Sequence, residues 1–205
     1  MYSCGSASSS EINSVTNLNI DNFKQINSKT NVKLYKNNNI NSSEYYLEFD
    51  IANTKYDLYT LIKTSIVTML KEFNKDIIED FIINENEDKT GGIIDIYLHS
   101  INKDMGISKK YLSTNFSLVE KDSKIHVISQ LKDNENIIYK NNEKYKKITL
   151  NNFEAIIDYS NIHFSKFSIL FDIDIHEDVP IYMINMRGLL IAKICNNLKN
   201  FIEKM

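Results

Sequence analysis

The stretch KFSILFDIDI (166–175) alternates apolar and polar residues almost strictly, and it runs on into VPIYMINMRGLLIAKICNNLKNFIEKM (179–205), where the apolar period changes. Alternation puts Phe167, Ile169, Phe171, Ile173 and Ile175 on one face of a strand, with Lys166, Ser168, Asp172 and Asp174 on the other. One face is expected to be buried and the other wet. In the second segment Ile184, Leu190, Ile191, Ile194, Leu198, Phe201, Ile202 and Met205 recur at three- and four-residue steps, the stripe of a helix that must lie on something apolar. Asp178 and the chain's single proline, Pro180, read as its start, because proline loses no N–H in a first turn and a carboxylate there opposes the helix dipole.

Working back from this pair, the chain offers a succession of further elements. VKLYK (32–36) and YYLEFDI (45–51) read as strands joined by the turn-forming NNNINSS. YDLYTLIKTSIVTMLKEF (56–73) changes to helical period, with Asn53 or Thr54 as the expected cap. Strand-like runs follow at 76–84, 92–100, 111–120, 124–131 and 147–159, separated by turn signals at Gly91-Gly92, Lys121-Asp122-Ser123 and the NNEK of 141–144. Their inward sets are Ile94, Ile96 and Leu98; Leu112, Thr114, Phe116 and Leu118; Ile125, Val127 and Leu131; Phe153, Ala155, Ile157 and Tyr159. The order predicts an antiparallel meander. A sheet of that many strands curls because strands twist, and its concave apolar face needs a cover, which the terminal helix supplies. The expected fold is α+β: a curved antiparallel sheet wrapped around a long C-terminal helix, with a flexible tail over 1–16 and one unit over 17–205.

Composition narrows the function. A chain of 205 residues with 42% apolar residues supports one domain with a substantial core. The net charge of −3, with Lys and Arg scattered among Asp and Glu, gives no footprint for nucleic acid. No apolar run reaches the roughly 20 residues of a membrane span, and the first residues lack the pattern of a secretory signal. With only Cys4 and Cys195, a reducing compartment and hence the cytoplasm is expected. Isolated His99, His126 and His163 form no triad, and no G-x-S-x-G or phosphate loop occurs, so the chain is read as no enzyme and as needing no cofactor. Asp172, Asp174, His176, Glu177 and Asp178 are the densest set of potential metal ligands, but a solvated strand face followed by acidic residues before a helix accounts for them without a cation.

The C-terminal sequence DIDIHEDVPIYMINMRGLL (172–190) resembles the START (steroidogenic acute regulatory protein-related lipid transfer) family. Asp172 or Asp174, Val179-Pro180 and Asn185 match its pattern of a strand ending in Asp, a turn, Val-Pro and an Asn early in the helix. GISKKYLSTNF (106–116) is similar to the strand that opens with an Arg-Asp-Phe-like motif, and NNFEAIIDYS (151–160) to the strand before the last. Lys109-Lys110-Tyr111 replaces the Arg-Asp pair, His176-Glu177-Asp178 stands where glycines are usual, and the chain has no Trp, so the resemblance is to a divergent member of the helix-grip superfamily.

The resemblance implies a monomeric carrier or sensor that holds one lipid or sterol-like molecule between sheet and helix and meets membrane surfaces transiently. No catalytic group is needed: an acyl chain of about fourteen methylenes crossing water costs on the order of 11 kcal/mol, which an apolar chamber removes. The expected lining is Phe116, Phe153, Ile157, Tyr159, Phe167, Ile169 and Phe171 from the sheet, and Ile184, Ile191 and Cys195 from the helix. A solid core is the competing reading of the same residues; an enzyme of the cyclase or hydrolase type, using Tyr159 and Thr114, is another. Gly188 inside the helix marks either a close approach to the sheet, a flexible point or a tolerated surface position. The lysine-rich 132–147 is read as a solvated hairpin rather than a membrane contact.

Overall fold

The computed structural model describes residues 14–27, 31–39, 42–100, 108–130, 136–175 and 185–205. Eleven strands form one open sheet: β1 (Phe23–Gln25), β2 (Lys33–Asn37), β3 (Glu44–Ala52), β4 (Ile78–Glu85), β5 (Gly91–Leu98), β6 (Lys110–Lys121), β7 (Lys124–Gln130), β8 (Ile137–Lys140), β9 (Glu143–Lys147), β10 (Thr149–Asn161) and β11 (Phe164–Asp174). Helix α1 (Leu58–Glu72) follows β3, and α2 (Met186–Lys204) ends the chain. The strand order is β1-β2-β3-β11-β10-β7-β6-β5-β4. The expected meander is thus the run from β4 to β11, with the β1–β3 group added beyond β11 so that early and late strands are neighbours. A side hairpin, β8–β9, joins β6 through a short parallel pairing, Lys110 with Lys146 and Tyr111 with Lys147.

Turn chemistry sets the register. Asp122 and Ser123 (φ 52° and 58°) and Asn141 and Asn142 (φ 51° and 64°) are the central residues of two-residue hairpin turns, where both must take positive φ. Asn and Asp tolerate that conformation better than most residues. The cap of α1 differs from expectation: Asp57 accepts from Tyr59 N at 3.0 Å and Thr60 N at 3.4 Å. Asn53 is instead buried and donates to Ile202 O at 2.6 Å, tying the turn before α1 to the end of α2.

Helix α2 begins at Met186, with Asn185 in the capping position and no side-chain cap bond; Asp178 and Pro180, read as its start, lie outside the described residues. The first turn is fixed by packing. A Cβ on Gly188 would come within 2.6 Å of Tyr45 Cδ1 and 2.7 Å of Cε1, so of the three readings of this glycine the close approach holds. α2 therefore packs on β2 and β3, and α1 packs on β4, β11 and α2.

The outer face of β11 is not uniformly wet. Leu170 is fully buried with Phe23 and Tyr46, and Val15, Leu18 and Tyr35 pack against them. Two single 3-10 turns, Val15–Asn17 and Ile20–Asn22, carry the N-terminal segment across this face. Glu154 anchors it by accepting from Val15 N at 2.8 Å and Ser14 Oγ at 3.1 Å.

Candidate functional site: the inner face of the sheet

Cross-strand pairing assembles the inward residues into rows. One row reads Gly92, Phe116, Ser129, Phe153, Phe171, Tyr45 from β5 to β3. The next reads Leu118, Val127, Ala155, Ile169, Leu47, Leu34, and a third Ile125, Ile157, Phe167, Phe49. Side chains of one row share a face because alternation is exact along every strand involved.

Burial changes along the first two rows. Tyr45 and Phe171 are 1% and 2% exposed and stack at 5.4 Å, and Phe49 and Phe167 stack at 4.6 Å. Leu34 and Leu47 are sealed under α2. On the other side of β10 the same faces hold Phe153, Ser129, Phe116, Val127 and Leu118, all only partly buried, as are Ile94, Ile96 and Leu112 beside them. Above, the middle of α2 presents Leu190, Ile191 and Ile194, also partly buried. Most of these partly covered side chains pack against the edge of the core, and together they form a half-accessible apolar region of the inner face, here termed the basin.

The ten expected lining residues divide accordingly. Phe116, Phe153 and Ile191 belong to the basin. Ile157, Phe167, Ile169, Phe171 and Cys195 are buried in the continuous core. The Cys195 thiol is pushed up to about 12 by burial alone, so it stays protonated and behaves as a small apolar group. Ile184 lies outside the described residues. Tyr159 sits at the far end of β10, where its hydroxyl donates to Glu120 Oε1 at 2.7 Å and its ring lies 4.5 Å from that of Tyr59.

Polar groups at the margins are engaged. Glu120 is held at about 2 by hydrogen bonds from Tyr59, Tyr159 and Lys63, and the bond to Glu120 pushes the Tyr159 hydroxyl up to about 12. Lys110, at the position of the replaced Arg-Asp pair, is fully buried and donates to Ile175 O at 2.9 Å. Arg187 donates to Ile173 O at 3.2 Å and lies 3.7 Å from Asp174, while Asp172 accepts from Ser43 Oγ. Among the described residues no three potential metal ligands gather; His176, Glu177 and Asp178 are outside them.

Hairpin β8–β9 is tied down on one side. Tyr145 is 1% exposed and donates to Glu79 at 2.8 Å. Burial raises the Glu79 carboxyl, but hydrogen bonds from Lys109 and Tyr145 outweigh it and leave the group below its ordinary value. Lys140 bridges to Asp80 at 2.6 Å and covers the Tyr97 ring at 3.7 Å. On the other side Ile137 and Tyr139 are exposed, facing Lys146 and Lys144 across the ladder.

Solved structures with this arrangement include START domains. The lipid transfer and protein localization domain of human StarD13 superposes with a TM-score of 0.69 at 10% identity, over 89% of this chain and 90% of that one. Human StAR-related lipid transfer protein 5 gives 0.63 at 10% identity over 90% of each chain. A STAR-related lipid transfer protein from Xanthomonas axonopodis gives 0.60 at 9% identity, over 89% of this chain and 99% of that fragment. The chain has the START helix-grip fold. No family model matches the sequence, and no curated protein sequence does. At these identities the likeness is one of fold.

Sequence reasoning missed Ser129, Leu190 and Ile194 as site residues. Ser129 has the parity of Ile125 and Val127 and was legible from it, but a serine carries no apolar signal. The helix residues were on the recognised stripe; which of them faced the basin depended on where Gly188 seated the helix.

Proposed function

We propose that the protein binds one lipid or sterol-like molecule in the basin between β5, β6, β7, β10 and α2, and carries or senses it as a monomer in the cytoplasm. The observation that supports this is the loss of burial along single rows of the inner face: Phe171 and Tyr45 are sealed, whereas Phe153 and Phe116 in the same row are not. Accessible apolar area of this kind carries about 25 cal/mol per Å², which an apolar ligand recovers. Clefts of mostly apolar lining with a few polar groups are the usual form of small-molecule sites. Among the described residues no helix is long and apolar enough to cross a membrane, and the reading needs none. Ligand exchange brings the protein to membranes transiently, and the exposed Ile137 and Tyr139 beside Lys144 and Lys146 have the mixed apolar and cationic character that suits an anionic bilayer surface.

Native mass spectrometry of the purified protein, with organic extraction of the same sample, tests the reading. A co-purifying apolar molecule at up to one per chain is expected. A protein that stays ligand-free after incubation with mixed lipid vesicles contradicts it.

A further inference from the structure

Among the described residues the inner face carries a side-chain hydroxyl pair beside Phe116 and Phe153. Thr114 Oγ1 and Ser129 Oγ lie 2.9 Å apart across β6 and β7, and either can be the donor. Thr114 is 4% exposed and pairs with Ile94; Ser129 lies between Phe116 and Phe153 in its row. The surroundings are thus a wall of half-covered apolar side chains with two hydroxyls at its centre. Resting on the carrier reading, we propose that this pair is the polar anchor of the basin and selects a ligand with a hydroxyl group on an otherwise apolar body.

The choice of a hydroxyl follows from the two directions the pair can take. A hydroxyl has one proton to give and two lone pairs to offer. When Thr114 donates to Asn115 O, 3.3 Å away, Ser129 donates to Thr114, and Ser129 Oγ is left as an acceptor that calls for a ligand donor. When Thr114 donates to Ser129, the Ser129 proton is left for a ligand acceptor. A ligand hydroxyl, which both gives and accepts, satisfies either arrangement, whereas an ether, ester or ketone oxygen satisfies only one. A carboxylate, which only accepts, fits one arrangement alone, and it would enter an apolar basin whose buried cation, Lys110, stands four residues along β6 and already donates to Ile175 O, where a poorly paired charge is strongly disfavoured.

The test compares probes of equal length. Vesicles of phosphatidylcholine carrying trace 1-hexadecanol, heptadecane or hexadecanoate are equilibrated with wild-type protein and with Ser129→Ala and Thr114→Val, and uptake per chain is read by mass spectrometry, folding being checked by circular dichroism. The ratio of hexadecanol to heptadecane uptake is expected to fall about tenfold in each variant, the worth of one buried hydrogen bond. An unaltered ratio in the folded variants, or wild-type preference for hexadecanoate over the alcohol, overturns the proposal and leaves the carrier reading standing. Failure of the wild type to take up any of the three probes overturns the anchor proposal, and removes the carrier reading as well if the protein also stays ligand-free after incubation with mixed lipid vesicles. Should a variant not fold, the order of the three probes on wild-type protein decides alone: hexadecanoate taken up ahead of hexadecanol overturns the assignment.

Discussion

The two halves of the inner face are built from the same kinds of residue, yet one is filled and the other is not. Phe171, Tyr45, Phe167 and Phe49 on β11 and β3 are as aromatic as Phe153 and Phe116 on β10 and β6, and Phe171 and Tyr45 occupy the same row as Phe153 and Phe116. The difference lies above the sheet. Gly188 lets α2 settle onto Tyr45 and Leu34, and the other end of the helix is held on the same side: Asn53 donates to Ile202 O, Lys199 to Asp50 O, and Lys55 to Met205 O at 3.0 Å. The helix is thereby fixed over β2 and β3, while its middle is tied to the junction of α1 and β4, where Lys193 donates to Asp76 at 2.6 Å and Asn197 to Asn74 at 2.9 Å. Sheet composition makes a face apolar; the anchoring of the covering helix decides which part of that face stays accessible.

The largest expected effect breaks the filled half. Phe171→Asp places a charge between Tyr45 and Phe153 in a sealed part of the core, and destabilisation on the order of 4 kcal/mol or more is expected; loss of the cooperative thermal transition is the readout. A matched pair of truncations sharpens the contrast. Phe49→Ala removes a ring that is 4% exposed and stacked on Phe167, so a loss of about 3–5 kcal/mol is expected, whereas Phe116→Ala in the basin should cost no more than about 1–2 kcal/mol while weakening lipid uptake. Equal losses in urea melts of the two variants would erase the distinction between the halves.

Gly188→Ala tests the seating of the helix. Alanine favours a helix interior by about 1 kcal/mol over glycine, but its methyl meets the Tyr45 ring, which is 1% exposed and backed by Phe171. The expected net result is destabilisation of about 1–2 kcal/mol. A stabilised variant would show that α2 is not held down at this point.

The smallest effect concerns the junction of α1 with the sheet at Glu120. Hydrogen bonds from Tyr59 and Tyr159 and the Lys63 ammonium hold its carboxyl at about 2. A carboxyl lowered by folding contributes stability that is complete above the ordinary carboxylate range and is lost as pH falls through that range toward about 2. Glu120→Gln should therefore lower stability slightly at neutral pH and flatten the curve between roughly pH 4.5 and 2, so that variant and wild type converge at the acid end. The group is solvent-accessible, so the change is expected to be small.

Much of this architecture was legible in the chain. Alternation identified the inner faces of β3, β5, β6, β7, β10 and β11, because a period of two leaves no freedom once one face is buried. Other parts depended on contacts that the sequence pattern does not carry. β1 is three residues long and offers only Phe23 to the interior of its small cluster. The alternation of 166–175 contains Leu170 at an outward position, and its burial follows from the N-terminal segment crossing that face. Asp57 displaced Asn53 and Thr54 as the cap of α1 because Asn53 is engaged by the end of α2. For the site, parity gave the candidate residues but not their division into core and basin, since Phe153 and Phe171 read alike until the helix position is known.

The most direct test is to map where a ligand lies. A fatty alcohol carrying a diazirine on its chain, loaded from vesicles and photolysed, should label peptides containing Ile94, Leu112 to Leu118, Val127 and Phe153, together with Leu190 to Ile194 of α2. Labelling concentrated on Tyr45 to Ile51 and Phe167 to Phe171, or spread over the outer face alone, would contradict the assignment of the basin as the chamber that holds lipid.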